Sequence, residues 1–286
     1  MIKKFSVIVV VKNEEKRIHD CLYSIFQDNP NEVILVDGDS KDKTMQIAKK
    51  FKKLKIIHSK NSNLTRDRQL GIDSCKNNYI IMIDADQRVA PGDLNSLIKE
   101  MNKKNYDIIQ AGVKSMDNKS FWGRAENDIY DTIHNCPGER NTLGGSPTVY
   151  KKKVFKYVRF DDYITKTTED TDFFYKLRLL KKFKIGVGSI KITQYHFPKL
   201  VEFIKKYKWY GKGDAEFCFK NPERFFFMFF HLTIRYPIIY SLKALVLNKF
   251  YAIPLLLIHS FFRFSNFIIY YVSLWVRKYC NLKFYI

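Results

Sequence analysis

The chain of 286 residues has room for one α/β domain of ordinary size and a smaller appendage. A formal net charge of +21, from 50 Lys and Arg against 29 Asp and Glu, calls for an anionic partner: nucleic acid, a phosphorylated ligand or acidic lipid headgroups. Nucleic acid is excluded, because the basic residues are spread along the chain without a recognised binding motif.

From the N-terminus, short β-branched runs alternate with helix-period segments. Strands are expected at Phe5–Val11, Glu32–Asp37, 55–58 and 79–83, and helices at 14–27, 44–51 and 65–75. In the first helix Ile18, Cys21, Leu22 and Ile25 share one face, and Asn13 is suited to cap it. The opening MIKKFSVIVVVKNEEKR superficially resembles a signal peptide. Its apolar run is only seven residues, however, and leads into charged residues with no small-residue cleavage site, so a buried strand in a cytosolic domain is expected. Strand–helix alternation at this spacing predicts an α/β fold with a doubly wound, mostly parallel sheet, whose ligands bind at the carboxyl ends of the strands.

Residues 112–168 are less regular, with a helix expected at 121–134 and a glycine pair at Gly144 and Gly145. A helix over 170–183 and a strand over 185–193 follow. Over 200–210, Leu200, Phe203, Ile204 and Tyr207 fall on one face and Lys205, Lys206 and Lys208 elsewhere, the pattern of a basic amphipathic helix ended by Gly211 and Gly213. The 63 residues after Glu223 hold eight Lys or Arg, no carboxylate and the densest aromatics of the chain, which suits an anionic bilayer surface. Apolar runs at 225–234, 251–262 and 264–276 fall short of the ~18 uninterrupted residues of a plain membrane span. His259, Arg263, Asn266, Tyr270 and Arg277 form one polar stripe, leaving in-plane or re-entrant insertion, spanning and soluble packing all open. The expected division is a catalytic domain over 1–200, a basic linker helix over 201–223 and membrane-associated helices over 224–286. A chain cut near Lys199 is expected to be soluble. Five scattered cysteines (Cys21, Cys75, Cys136, Cys218 and Cys280), never spaced Cys-x-x-Cys, predict free thiols in a reduced compartment and no zinc site.

The chemistry is expected around Asp84-Ala85-Asp86, directly after an apolar strand. Two carboxylates one residue apart at a strand end suit a hard cation such as Mg²⁺ or Mn²⁺ whose other ligands are substrate phosphates, although a solvated acidic turn has the same sequence. Asp37 and Asp39 follow the second strand and Glu14 and Glu15 the first, so a parallel sheet gathers these carboxylates at one edge. Helix capping and dipole effects are the structural alternatives for Asp39, Glu14 and Glu15.

In order along the chain, VIVVVKNEEKRI, VDGDSKDKT, TRDRQLGIDSC, IMIDADQRV, LGGSPTVYKKKVF and TEDTDFFYKLRLLKKFKI together resemble the family 2 glycosyltransferases of GT-A fold, over roughly residues 5–215. That resemblance implies an inverting, nucleotide-sugar-dependent and metal-dependent transferase, with Asp84 and Asp86 holding the metal and donor diphosphate through a DXD motif. It implies Glu14 and Asp37, with Asp39 close by, on the nucleoside, Arg68 on the donor, and Asp170 as the general base that deprotonates the acceptor. A UDP- or GDP-sugar donor, a lipid-linked or saccharide acceptor in cell envelope glycan synthesis, and a place on the cytoplasmic side of the membrane complete the expectation. The chain departs from the family in having Asp37-Gly38-Asp39 where many members carry two successive aspartates. His196 stands where a third metal ligand or phosphate contact would lie, and Trp209-Tyr210-Gly211 is only loosely similar to the late aromatic motif. No glycine precedes Gly38, which excludes the phosphate loop of a sugar-nucleotide pyrophosphorylase and a Rossmann fingerprint at the usual place. A polyprenyl-phosphate glycosyl synthase and a catalytically inactive membrane scaffold of the same fold are the alternatives.

Overall fold

The computed structural model describes residues 4–60, 63–195, 197 and 199–280. Among these the chain forms two compact units, one built from Met1–Lys114, Asn135–Asp162 and Asp170–Tyr195, the other from Ser115–His134, Tyr163–Glu169 and His196–Ile286. Each unit is thus assembled from separated stretches rather than from one side of a single boundary.

The first unit opens with β1 (Phe5–Val11), α1 (Ile18–Phe26), β2 (Glu32–Asp37), α2 (Thr44–Ala48), β3 (Leu54–His58), α3 (Leu64–Ser74) and β4 (Tyr79–Met82). Then come β5 (Gln87–Arg88), α4 (Asp93–Lys103), β6 (Ile108–Ser115), β7 (Gly138–Glu139), β8 (Thr148–Lys151), α6 (Glu169–Leu179) and β9 (Ile185–Gln194). The strands form one sheet in the order β3-β2-β1-β4-β8-β6-β9-β5, with β7 added on β9. β3, β2, β1 and β4 are parallel, and β8 turns antiparallel against β4 and β6.

Side-chain alternation explains why helices cover both faces. Val7, Val9 and Val11 of β1, Val33 and Leu35 of β2 and Ile81 of β4 pack with Ile18, Leu22 and Ile25 of α1 and Leu97 of α4. The intervening Ile8, Ile34, Val36, Ile80 and Met82 pack on the other side with Ile72 of α3 and Phe173, Phe174 and Leu177 of α6. Strands buried on both faces read as near-continuous apolar runs, as β1 does apart from Ser6 and β2 does over 33–36. The doubly wound α/β sheet expected from sequence is therefore observed.

Local differences have identifiable causes. Asn13 does not cap α1; it sits at φ 59°, its amide N–H donates to Ser40 Oγ at 3.0 Å and its Oδ1 accepts from Lys41 N at 2.8 Å. Residues 14–17 form a turn first, and α1 starts at Ile18. Asn63 does cap α3, accepting from Arg66 N at 2.8 Å.

The second unit contains α5 (Phe121–Ile129), continued as a π-helical turn over Tyr130–His134, and α7 (Leu200–Lys220). A 3-10 turn at Pro222–Arg224 leads to α8 (Phe225–Phe230), a π-helical stretch over His231–Ile239 that accommodates Pro237, α9 (Tyr240–Val246) and α10 (Ala252–Cys280). α7 does not stop at Gly211 and Gly213 but runs through both. A Cβ at Gly211 would sit 2.9 Å from Phe267 N of α10, and one at Gly213 would sit 2.8 Å from the Thr167 carbonyl carbon. These glycines serve close packing, and the helix tolerates them because the neighbouring backbone occupies the space. The core here joins Ala125 and Ile129 of α5 to Phe203 and Tyr207 of α7 and Leu255 and Leu256 of α10. A chain ending near Lys199 would expose the apolar face of α5, so the expectation of a soluble truncation does not carry over to this packing.

Candidate active site

The parallel strands deliver carboxylates to one sheet edge, as strand register requires. Val11 of β1 lies opposite Asp37 of β2, and Asp37 lies opposite His58 of β3. Ile8 lies opposite Met82, so residues 84–86 leave β4 level with the end of β1.

The Asp84-Ala85-Asp86 turn is held from several directions. Asp84 N–H donates to Gln87 Oε1 at 3.1 Å, and Ser146 Oγ donates to the same oxygen at 2.8 Å. Arg88 donates through Nη1 to Ala85 O at 3.1 Å and through Nη2 to Arg17 O at 2.9 Å. On the far side Tyr195 N–H donates to Asp86 O at 2.7 Å and Gln194 Nε2 to Asp86 Oδ2 at 3.2 Å. A turn fixed by this many side-chain bonds to backbone holds both carboxylates without reorganisation.

Arg68, on α3 and 7% exposed, places Nη2 3.3 Å from Asp84 Oδ1. Its guanidinium also fills the space beside Gly145, where an added Cβ would collide with Nη1 and lie 3.1 Å from Cζ. Gly145 in turn donates its backbone N–H to Asp170 Oδ2 at 3.1 Å, while Thr171 N–H donates to Asp170 Oδ1 at 2.7 Å. Asp170 lies in the first turn of α6 and is partly exposed. The structure thus brings Asp84, Arg68, Gly145 and Asp170 into one contiguous chain of contacts, linking two residues 86 positions apart in sequence.

Glu14 belongs to the same edge. Burial pushes its carboxyl up from the usual range, the Arg17 guanidinium 2.7 Å away pulls it down, and repulsion from Asp42 and Asp84 adds to the rise. Asp37 is buried and turned to Ser40 N–H at 3.1 Å and to His58 Nδ1 at 3.3 Å. Asp39 faces outward instead: at φ 66° its exposed carboxylate pairs with Lys41 Nζ at 2.8 Å, and that ammonium holds it below the usual carboxylate range. His196 lies outside the described residues.

Gln87, Arg88, Gln194 and Gly145 went unmarked in the sequence as site residues. Gln87 and Arg88 act by holding backbone, Gln194 by donating to the Asp86 carboxylate and Gly145 by leaving space, and only Gly145 carried a signal, as half of a glycine pair. Among the described residues no group of three or more His, Cys, Asp and Glu is placed to hold a metal ion. Asp84 and Asp86 nevertheless offer hard carboxylate oxygens on a braced turn, a donor set that suits a divalent cation completed by diphosphate oxygens. A separate cavity of about 830 Å³, lined in part by Arg66, Asp73, Arg159, Asp162 and Lys176, includes none of the site residues above. Its charges pair among themselves, Arg66 with Asp162 at 2.9 Å and Arg159 with Asp73 at 2.6 Å.

Comparison with known proteins bears on the family and the fold. Residues 6–183 match the family model described as Glycosyl transferase family 2. EpsJ of Bacillus subtilis, an uncharacterized glycosyltransferase, is 29% identical over 129 residues, covering 42% of this chain and 38% of that protein. The dolichyl N-acetyl-alpha-D-glucosaminyl phosphate 3-beta-D-2,3-diacetamido-2,3-dideoxy-beta-D-glucuronosyltransferase of Methanococcus voltae is 27% identical over 264 residues, covering 80% of this chain and 81% of that enzyme. The crystal structure of S. aureus TarS 1-349 superposes with a TM-score of 0.57 at 17% identity, covering 99% of this chain and 93% of the other. Its complex with UDP-GlcNAc gives 0.54 at 18% identity, covering 95% and 91%. These last two likenesses show the GT-A fold.

Proposed function

This chain belongs to glycosyl transferase family 2, and from that premise we propose that it moves a sugar from a UDP- or GDP-linked donor to a hydroxyl or phosphate of a lipid-linked acceptor, with inversion at the anomeric carbon. The observation that carries this reading is the run of contacts from Asp84 through Arg68 and Gly145 to Asp170, which sets a cation for the leaving group and a carboxylate for the acceptor side by side. UDP-GlcNAc in the complex of the TarS fold neighbour and the dolichyl-linked substrate named for the Methanococcus voltae enzyme support the donor and acceptor classes.

In this mechanism Asp170 takes the proton of the acceptor hydroxyl as its oxygen attacks the anomeric carbon. The bond from that carbon to the diphosphate oxygen breaks, and the nucleoside diphosphate leaves with the electron pair. Arg68 balances the growing negative charge from a site already desolvated by α3 and Gly145. Thr171 and Gly145 hold the Asp170 carboxylate through their backbone N–H groups, so it does not have to be oriented during the step. Asp84 and Asp86 would hold a Mg²⁺ or Mn²⁺ ion, which supplies neutralisation of the diphosphate when bound. Glu14 and Asp37 line the nucleoside side of the same edge, with Asp39 further out.

The carboxylate-free segment after Glu223 supports attachment to the cytoplasmic side of a membrane. The stretches Pro222–Val246 and Ala252–Tyr279 are long and apolar enough to cross a bilayer, by length and composition alone. A thermal-shift panel of UDP-, GDP- and CMP-sugars with Mn²⁺ tests the donor assignment. One nucleotide class should stabilise the protein by ~2.7 kcal/mol at a hundredfold excess over its dissociation constant. No stabilisation by any of the three, together with no nucleoside diphosphate release, would refute it.

A further inference from the structure

The outer surface of the second unit is apolar to a degree that calls for a covering. On α10, Leu257, Phe261, Val272, Trp275 and Tyr279 are exposed and fall on one stripe of the helix. The opposite stripe faces inward. There His259 stacks on Tyr207 with ring centroids 4.2 Å apart, and Arg263 pairs with the fully buried Asp214 at 2.8 Å. α10 is therefore an inverted amphipathic helix, polar towards α7 and apolar outward. The stretch over 222–246 adds Phe226, 82% exposed, Phe230, Leu242 and Val246 to the same kind of surface.

Two further features say what covers it and how. The cations of these helices sit on aromatic faces: Arg224 lies 4.0 Å from the centroid of Phe227, Lys278 5.1 Å from that of Tyr279, and Lys208 5.5 Å from that of Phe262. Such cations at the margin of an aromatic surface, with no carboxylate after Glu223, match the headgroup level of an anionic bilayer. Secondly, α7 runs alongside α10 for most of its length, from the Tyr207–His259 stack to Phe219, which meets Tyr271 at 5.9 Å and Lys278 at 5.4 Å. A bilayer-crossing α10 would draw α7 through the hydrocarbon with it. α7 carries Glu202, Lys205, Lys206, Lys208, Lys212 and Lys220, of which Lys205 and Lys208 are exposed. Charges in that position are expelled from hydrocarbon.

We propose that the helices after Glu223 do not cross the membrane but lie flat in the headgroup–acyl boundary of an anionic bilayer, with the Leu257–Phe261–Val272–Trp275 stripe of α10 inserted and α7 on the aqueous side. This rests on the membrane-attached reading above and specifies its geometry.

The test places single cysteines at the exposed positions Glu223, Lys243 and Lys278 of the full chain. They are labelled with a membrane-impermeant maleimide in right-side-out and in inverted vesicles of the expressing cell, and the labelled peptides are identified by mass. In-plane helices leave all three labelled from one and the same face. If α10 crosses, Lys278→Cys reports the opposite face from Lys243→Cys. If both stretches cross, Lys243→Cys reports the opposite face from the other two; if only the first crosses, Glu223→Cys differs from both. Any of these patterns overturns the proposal. In parallel, Phe261→Asp with Trp275→Asp should lower flotation with phosphatidylglycerol vesicles by about tenfold or more. Unchanged flotation removes the stripe from the contact. A wild-type chain that does not float, or that covers this surface by dimerising in solution, also overturns the proposal. Nucleoside diphosphate release in that same preparation shows separately whether the transferase reading stands.

Discussion

The backbone N–H of Gly145 donates to Oδ2 of Asp170 at 3.1 Å, and the side of Gly145 that lacks a Cβ is filled by the guanidinium of Arg68. One residue with no side chain therefore sets the spacing between the cation assigned to the leaving diphosphate and the carboxylate assigned to the acceptor. Neither Arg68 nor Asp170 touches this residue through chemistry that sequence spacing displays, yet a methyl group at that point would collide with the Arg68 guanidinium.

Gly145→Ala should displace the Arg68 guanidinium and weaken donor binding by about tenfold or more, the scale of losing one charge-assisted hydrogen bond of ~1.5–3 kcal/mol. Titration calorimetry with the nucleotide sugar identified by the thermal-shift panel measures it. An unchanged dissociation constant would show that Arg68 relaxes around the methyl group or does not meet the donor.

Asp86→Ala should abolish the Mn²⁺-dependent part of the nucleotide stabilisation, whose total is ~2.7 kcal/mol at a hundredfold ligand excess. Its own side-chain contact to Gln194 at 3.2 Å is replaceable by water, so the fold should persist. Full activity of the wild type in EDTA, or of Asp86→Ala with Mn²⁺, would remove the metal from the account.

The Arg263–Asp214 pair is buried among the aromatic side chains of α7 and α10, Asp214 with no exposure at all. Arg263→Leu leaves an uncompensated buried carboxylate and should cost ~3–5 kcal/mol of stability in denaturant titration, whereas Arg263→Leu with Asp214→Leu should recover most of that loss. Equal destabilisation by the single and the double change would mean that the pair contributes shape and not charge balance.

A chain ending at Lys199 loses Phe203, Leu255 and Leu256, against which Ala125 and Ile129 pack. Such a truncation should aggregate or sediment, in contrast to the full chain in detergent. A monodisperse truncated protein by size-exclusion chromatography would show that α5 finds cover elsewhere.

What could be read in advance follows from how local each signal is. β1 and β2 were legible because burial on both faces leaves Phe5–Val11, apart from Ser6, and most of Glu32–Asp37 apolar. The places of Asp84 after a strand and of Asp170 at a helix start were legible because short motifs mark strand and helix ends. β6 and β8 were not, since IIQAGVKS and TVYK gain their antiparallel pairing from partners far along the chain, across the whole of α5. The length of α7 was misjudged at Gly211 and Gly213, where glycine, a stop signal in an isolated helix, instead admits the backbones of α10 and of Thr167. Asn13, which has the composition of a cap, took a left-handed turn because Ser40 and Lys41 supply its partners from another loop. Arg88 and Gln87 hold the Asp84 turn through bonds to backbone oxygens and amides, and no spacing in a sequence encodes such an anchor.

The central claim is that Asp170 is the base of a glycosyl transfer and has no part in holding the donor. Asp170→Asn keeps the size of the side chain and one oxygen to accept from Gly145 N–H, giving up only the bond from Thr171 N–H, so the donor side of the site should keep its shape. The decisive measurement pairs donor titration with the rate of nucleoside diphosphate release in the presence of acceptor, for wild type and Asp170→Asn in the same vesicles. The account predicts an unchanged donor dissociation constant with a rate lower by ~10²-fold or more; loss of donor binding in step with the rate, or full turnover by Asp170→Asn, would contradict it.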